Sequence, residues 1–133
     1  MIYTGYFATA MKSVQVQYEG LRPISIARHL ARFLQPWPAD RIAHFLQPHD
    51  WLLEGYKNGE ISDAQYEQLY RHYRLRHIDP AMMAEMFDGC VLLCYERADK
   101  FCHRHVVQRW LDENGIACEE LVVRYAQERL QLA

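Results

Sequence analysis

Five consecutive apolar residues, Cys90-Val91-Leu92-Leu93-Cys94, follow Gly89 and lead directly into Tyr95-Glu96-Arg97. A strand with one wet face alternates apolar and polar side chains; this run has no polar face, so both of its sides must be covered. A central strand of a parallel sheet, with helices packed on it, meets that requirement. The run therefore commits the chain to an α/β arrangement more firmly than any other stretch does.

The flanking pattern is consistent with this. Met1-Ile2-Tyr3-Thr4-Gly5-Tyr6 is β-prone, which predicts a first strand ending near Gly5. To Gly20 the signals are mixed: Val14 and Val16 alternate with Gln15 and Gln17, while Ala8, Ala10, Met11 and Tyr18 suit a short helix. A helix is the expectation, because parallel strands need a crossover. Pro23 to Ala27 reads as a second strand, and residues 29–47, with Pro36 and Pro38 around Trp37, as a long loop or lid with a possible turn of helix over 40–46. Asp50 can cap a short helix through Tyr56, stopped at Asn58-Gly59. Ser62 with Gln65 forms a capping box, so a helix starts at Asp63 and turns Tyr66, Leu69, Tyr70 and Tyr73 to one side. Asp79-Pro80 opens a third helix, with Met82, Met83, Met86 and Phe87 on its buried face, that ends at Gly89. Phe101 to Asn114 repeats apolar residues at helical spacing, Ile116 to Arg124 is a last strand, and a short C-terminal helix follows. The order β-α-β-α-α-α-β-α-β predicts a three-layer α/β fold, a mostly parallel sheet of about four strands flanked by helices, in a single domain over residues 1–133.

Composition narrows the partners. Half of the 133 residues are apolar, enough for one full core. Fifteen basic against seventeen acidic residues, a net charge of -2, form no basic face, so binding along a nucleic-acid backbone is not expected; a small anionic ligand, a protein partner or a second copy of the chain remain compatible. No stretch resembles a secretion signal or a membrane span, which predicts a cytoplasmic protein with no membrane partner. In that compartment the four cysteines, Cys90, Cys94, Cys102 and Cys118, are expected to be reduced.

In open parallel sheets ligands sit beyond the carboxyl ends of the strands, where loops and helix N-termini converge. The first such end offers Gly5, whose bare backbone admits close approach, and the second offers Ser25 and Arg28, a hydroxyl and a cation suited to an anion. The third offers Cys94 and Glu96, then Cys102, His103 and Arg104 at a helix start, where a thiol is activated by the helix terminus and by nearby cations. Cys94 also fits the nucleophile on a turn leaving a central strand, as in rhodanese-like and phosphatase-like sites, although Lys100 stands where a phosphatase loop has arginine. These residues predict an anion site of Gly5, Ser25, Arg28 and Arg104, with chemistry carried by Cys94, Glu96, Cys102 and His103. No cofactor is specified. One alternative is a non-catalytic interaction protein with Trp37, Trp51 and tyrosines as its partner surface; another is a zinc site of Cys94, Cys102, His103 and His105, which have the right donor types, although neighbouring Cys102 and His103 would splay if both were helical. Each residue also has a plainer role: Cys90 and Cys118 as core, Cys94 as a small buried strand residue, His103 and Arg104 as surface residues of a helix start, Glu96 as a partner of Arg97 or Lys100.

Leu92-Leu93-Cys94-Tyr95-Glu96, Phe101-Cys102-His103-Arg104 and Trp110-Leu111 together resemble the hallmark of the bacterial and phage family known as domain of unknown function 488. Tyr3-Thr4-Gly5-Tyr6, Pro23 to Arg28 and the stretch from Tyr56 to Tyr66 extend the resemblance over nearly the whole chain, with residues 29–47 departing most. The resemblance implies a compact α/β domain marked at Arg28, Cys94, Glu96, Cys102, His103 and Arg104. It implies no particular activity.

Overall fold

The computed structural model describes residues 1–7, 21–30, 34, 36–96 and 100–121. Four strands, β1 (Ile2–Tyr6), β2 (Arg22–Ser25), β3 (Cys90–Cys94) and β4 (Cys118–Glu120), form one sheet in the order β2-β3-β1-β4, and every pairing is parallel. All five residues of β3 are buried, as the unbroken apolar run requires. Four helices flank the sheet: α1 (Asp50–Lys57), α2 (Asp63–Tyr73), α3 (Pro80–Met86) and α4 (His103–Glu113). This is the expected α/β fold with its mostly parallel four-stranded sheet.

Register determines which side chains meet. Tyr6 pairs with Cys94 and Thr4 with both Leu92 and Glu120, so alternate residues of the three strands share one face. On that face Ile2, Ile24, Leu92 and Cys94 pack with Leu52 of α1, Tyr66 and Tyr70 of α2, Met83 of α3 and Val106, Val107 and Leu111 of α4. The connections β2 to β3 and β3 to β4 run in the same direction across the sheet, and right-handed crossovers then put their helices on the same side. The opposite face carries a second apolar layer, in which Val91 and Leu93 pack with Phe7, Ala27, Leu34 and Leu121.

Local chemistry sets the helix boundaries. Ser62 Oγ accepts the Gln65 amide while the Gln65 side chain accepts the Ser62 amide, the capping box expected at the start of α2. Asp79 caps α3 by accepting from the Ala81 amide, and Pro80 occupies the first helical position. Gly89, with φ of 77°, makes the turn from α3 into β3 in a conformation that residues with a Cβ rarely adopt. Asp50 does not cap α1: His49 is the N-cap, and the Asp50 carboxylate binds Arg28 and His29 instead.

Other boundaries shift. β2 ends at Ser25 rather than Ala27, β4 is confined to Cys118–Glu120, and α4 starts at His103 because Cys102 is extended, at φ -155° and ψ 150°. The lid expected over 29–47 is anchored where it is described. Ile42 bridges to Ser25, Ala43 and Leu46 are buried, and two single-turn helices, Ala39–Arg41 and His44–Leu46, complete the path. The helix expected up to Gly20, the last strand's end at 122–124 and the C-terminal helix lie outside the described residues. No described helix is long and apolar enough to cross a membrane.

Candidate functional site

Because β2 and β3 are neighbours and parallel, their carboxyl ends open side by side, and α4 begins just above them. Between them lies a cleft of about 110 Å³, lined by Ala27, Arg28 and His29 after β2, Cys94, Tyr95 and Glu96 at the end of β3, and Phe101, Cys102 and His103 at the start of α4. Pro48, Leu53, Tyr56, Lys57 and Tyr66 complete its walls. The volume is several times the roughly 10–15 Å³ that seats one water and well below the roughly 300 Å³ at which drug-sized pockets begin.

At its base the structure joins the sulfurs of Cys94 and Cys102 as a disulfide, where reduced thiols are the sequence expectation; Cys90 and Cys118 are free and buried. The Cα atoms of the linked pair stand 7.6 Å apart, a wider span than the roughly 4.4–6.8 Å usual for linked cysteines. His103 completes a cluster in which Cys94 Sγ, Cys102 Sγ and a ring nitrogen of His103 all lie within 4.8 Å of one another. The extended conformation of Cys102 is what allows this, since it brings the side chain of the capping residue back toward that of the first helical residue. His103 Nε2 stands 2.7 Å from the Ile26 carbonyl, which can only accept, so Nε2 carries the proton and Nδ1, 3.5 Å from Cys102 Sγ, presents its lone pair. Burial holds the His103 pKa down to about 4, so the ring is neutral at physiological pH. The neutral ring presents its Nδ1 lone pair toward Cys102 as an acceptor or a ligand.

Behind Cys94 lies Arg104, which is fully buried. Its Nε donates to Glu120 Oε1 at 3.0 Å, and Nη1 donates both to Cys94 Sγ at 2.9 Å and to the Glu96 carbonyl at 2.6 Å. The guanidinium also lies over the Tyr6 ring, 5.7 Å from its centroid, and the Thr4 hydroxyl donates to the other Glu120 oxygen. Strand register assembles this nest: Tyr6, Cys94, Thr4 and Glu120 share the face that α4 covers. Arg104 Nη2 is buried and has no hydrogen-bond partner among the described residues.

Of the expected site residues, the structure gathers Arg28, Cys94, Glu96, Cys102 and His103 around one cleft. Gly5, Ser25 and Arg104 do not line it. Gly5 lies inside β1, where an added Cβ would make ordinary contacts with Leu93, Val91 and Leu121, away from the cleft. The Ser25 hydroxyl is buried and accepts the Ala27 amide, closing a local turn. Arg104 faces the sulfur from behind and grips Glu120, and neither it nor His103 is a surface residue. Arg28 reaches the cleft while both ends of its fork hold the Asp50 carboxylate at 3.1 Å, and His29 binds the same carboxylate. His105 stands outside the sulfur cluster, and its half-buried ring has a pKa lowered chiefly by burial.

The sequence reading missed Glu120, Thr4 and Tyr6 as the setting of Arg104. The signal for Glu120 was present: an acid two residues after Cys118 in a short strand shares the face of that buried thiol. It also missed the aromatic wall of Tyr56, Tyr66 and Phe101, in which the Tyr56 hydroxyl donates to Asp63 and its pKa is raised to about 12 by that bond. Comparison of the chain with protein-family models, with curated proteins and with solved structures finds no match.

Proposed function

We propose that the cleft binds a small anionic ligand and that Cys94, in the reduced protein, is the thiolate that reacts with it. The observation that carries this reading is the hydrogen bond from the buried guanidinium of Arg104 to Cys94 Sγ. A guanidinium that cannot turn toward water and donates to sulfur favours the thiolate over the thiol, and thiolate is the nucleophilic form. Arg28 and Lys57 on the cleft walls supply cations for an anion, with Asp50 holding the Arg28 fork in place.

In the reaction this implies, Cys94 Sγ gives a lone pair to an electrophilic atom of the ligand. The bond to the leaving group breaks with its electron pair, and that group takes a proton from solvent by way of the exposed Glu96 at the rim. In the disulfide with Cys102 the Cys94 sulfur is held inactive, and a dithiol reductant frees it: two electrons and two protons pass to the pair as the reductant closes its own disulfide. A pair that must be reduced to act suits the cytoplasm. Part of the motif that resembles domain of unknown function 488, Cys94 to Glu96 and Phe101 to His103, lines the cleft.

The test compares two alkylating agents of similar size on the reduced protein, anionic iodoacetate and neutral iodoacetamide. Relative to a free thiol, Cys94 should favour iodoacetate by several-fold, and Arg28→Ala should remove most of that preference, as charge steering does. A preference for the neutral reagent, unchanged in the variant, would contradict the anion reading.

A further inference from the structure

We infer that the reduced Cys94 and Cys102 sulfurs and His103 Nδ1 form a site for one borderline-soft divalent metal ion of the zinc class, with a fourth position open to the cleft. This rests on the same reduced pair as the function proposed above and adds a ligand to it. Three independent features of the geometry point the same way.

The first is spacing. Tetrahedral zinc with Zn–S of about 2.3 Å and Zn–N of about 2.0–2.1 Å sets sulfur and nitrogen about 3.6 Å apart and two sulfurs about 3.8 Å apart. The Cys102 Sγ to His103 Nδ1 distance is 3.5 Å, and all three donors fall within 4.8 Å of one another. The two sulfurs are bonded in the structure and must part to that spacing on reduction, which the 7.6 Å between their Cα atoms, wider than linked cysteines usually span, permits.

The second is orientation. A metal-binding imidazole is typically held by donating its other N–H to a carbonyl or carboxylate, and His103 Nε2 does this to the Ile26 carbonyl at 2.7 Å. The third is charge. Two thiolates side by side in a buried cluster repel each other, and the nearest cation, Arg104, is already matched by Glu120. A divalent ion neutralises both sulfurs, and Arg104 Nη1 then remains as a second-layer donor to Cys94 Sγ. His105 is not among the donors, so the fourth position faces the cleft. Three protein ligands with one open place is the arrangement of catalytic zinc rather than structural zinc.

The experiment loads the full-length reduced protein with cobalt(II) as the spectroscopic probe and then displaces it with zinc. One cobalt per chain should bind, with thiolate-to-cobalt absorption in the near ultraviolet and the intense visible bands of a tetrahedral ion. His103→Gln should weaken binding by more than about 100-fold, as should Cys102→Ser, whereas Cys90→Ser should leave it unchanged. Should a cysteine variant fail to fold, alkylating the wild-type pair before loading gives the same readout and should abolish binding. Absence of the thiolate band, or equal loss in Cys90→Ser, would overturn the metal site. The two readings fail separately: rapid labelling of Cys94 with no cobalt bound removes only the metal, and cobalt binding with an inert metal-free Cys94 removes only the nucleophile.

Discussion

Cys90 and Cys94 sit four residues apart on the same strand and face the same layer of helices, yet they lie in opposite chemical settings. Cys90, at the amino end, is buried where desolvation raises its pKa, and Cys118, two strands away across β1, is pushed up to about 12 for the same reason. Cys94, at the carboxyl end, meets a guanidinium, a second sulfur and an imidazole within a few ångströms. Side-chain type and burial are the same; what differs is the end of the strand. In a parallel sheet only the carboxyl end receives the N-terminus of the following helix, and α4 brings Cys102, His103 and Arg104 there together.

The largest effect that would break this contrast is at Arg104. Arg104→Met removes the donor to Cys94 and leaves Glu120 without its cation, so it should lower stability by about 3 kcal/mol and slow Cys94 alkylation by about tenfold or more. Urea unfolding midpoints and labelling kinetics read the two separately. A variant that loses stability while labelling stays fast would show that Arg104 serves only the fold.

A smaller effect sharpens the other side of the comparison. The folded-state pKa of Cys118 is raised to about 12 from 9.0, so as pH rises above 9 the unfolded chain loses a proton that the folded chain keeps. Stability contributed by this thiol is therefore complete below pH 9 and falls by up to about 1.4 kcal/mol per pH unit toward pH 12. Tyr56 and Tyr66, also shifted upward, add slopes of the same sign, so the readout is the difference between wild type and Cys118→Ala, which should be less alkali-sensitive. Equal slopes in the two proteins would remove Cys118 from the buried class.

The smallest effect is a control away from the contrast. Ser62→Ala should cost about 1 kcal/mol by removing the α2 cap, with no change in the labelling of any cysteine. A change at Cys94 would mean that the site depends on α2, which supplies Tyr66 to the cleft wall.

Much of this contrast was legible in the residues. The five apolar positions of β3 specified a covered strand, the capping box specified the start of α2, and thiols next to His103 and Arg104 at a helix start marked the site. What stayed hidden depends on register and on single dihedrals. Whether Arg104 points at a ligand or at a sulfur depends on Glu120 standing beside Thr4, a pairing between residues 116 positions apart. Whether Cys102 and His103 converge or splay depends on Cys102 being extended rather than helical, a choice of one φ/ψ pair that spacing cannot specify. Ser25 and Gly5 illustrate the reverse case, since small residues at a strand end invite a ligand reading, yet neither lines the cleft and the Ser25 hydroxyl closes a local turn.

The most direct test is site-resolved alkylation of all four cysteines in the reduced, folded, metal-free protein at neutral pH, followed residue by residue by mass spectrometry. Cys94 is expected to be modified first, with Cys90 and Cys118 protected until the protein unfolds. Labelling of Cys94 no faster than that of Cys90 and Cys118 would contradict the account.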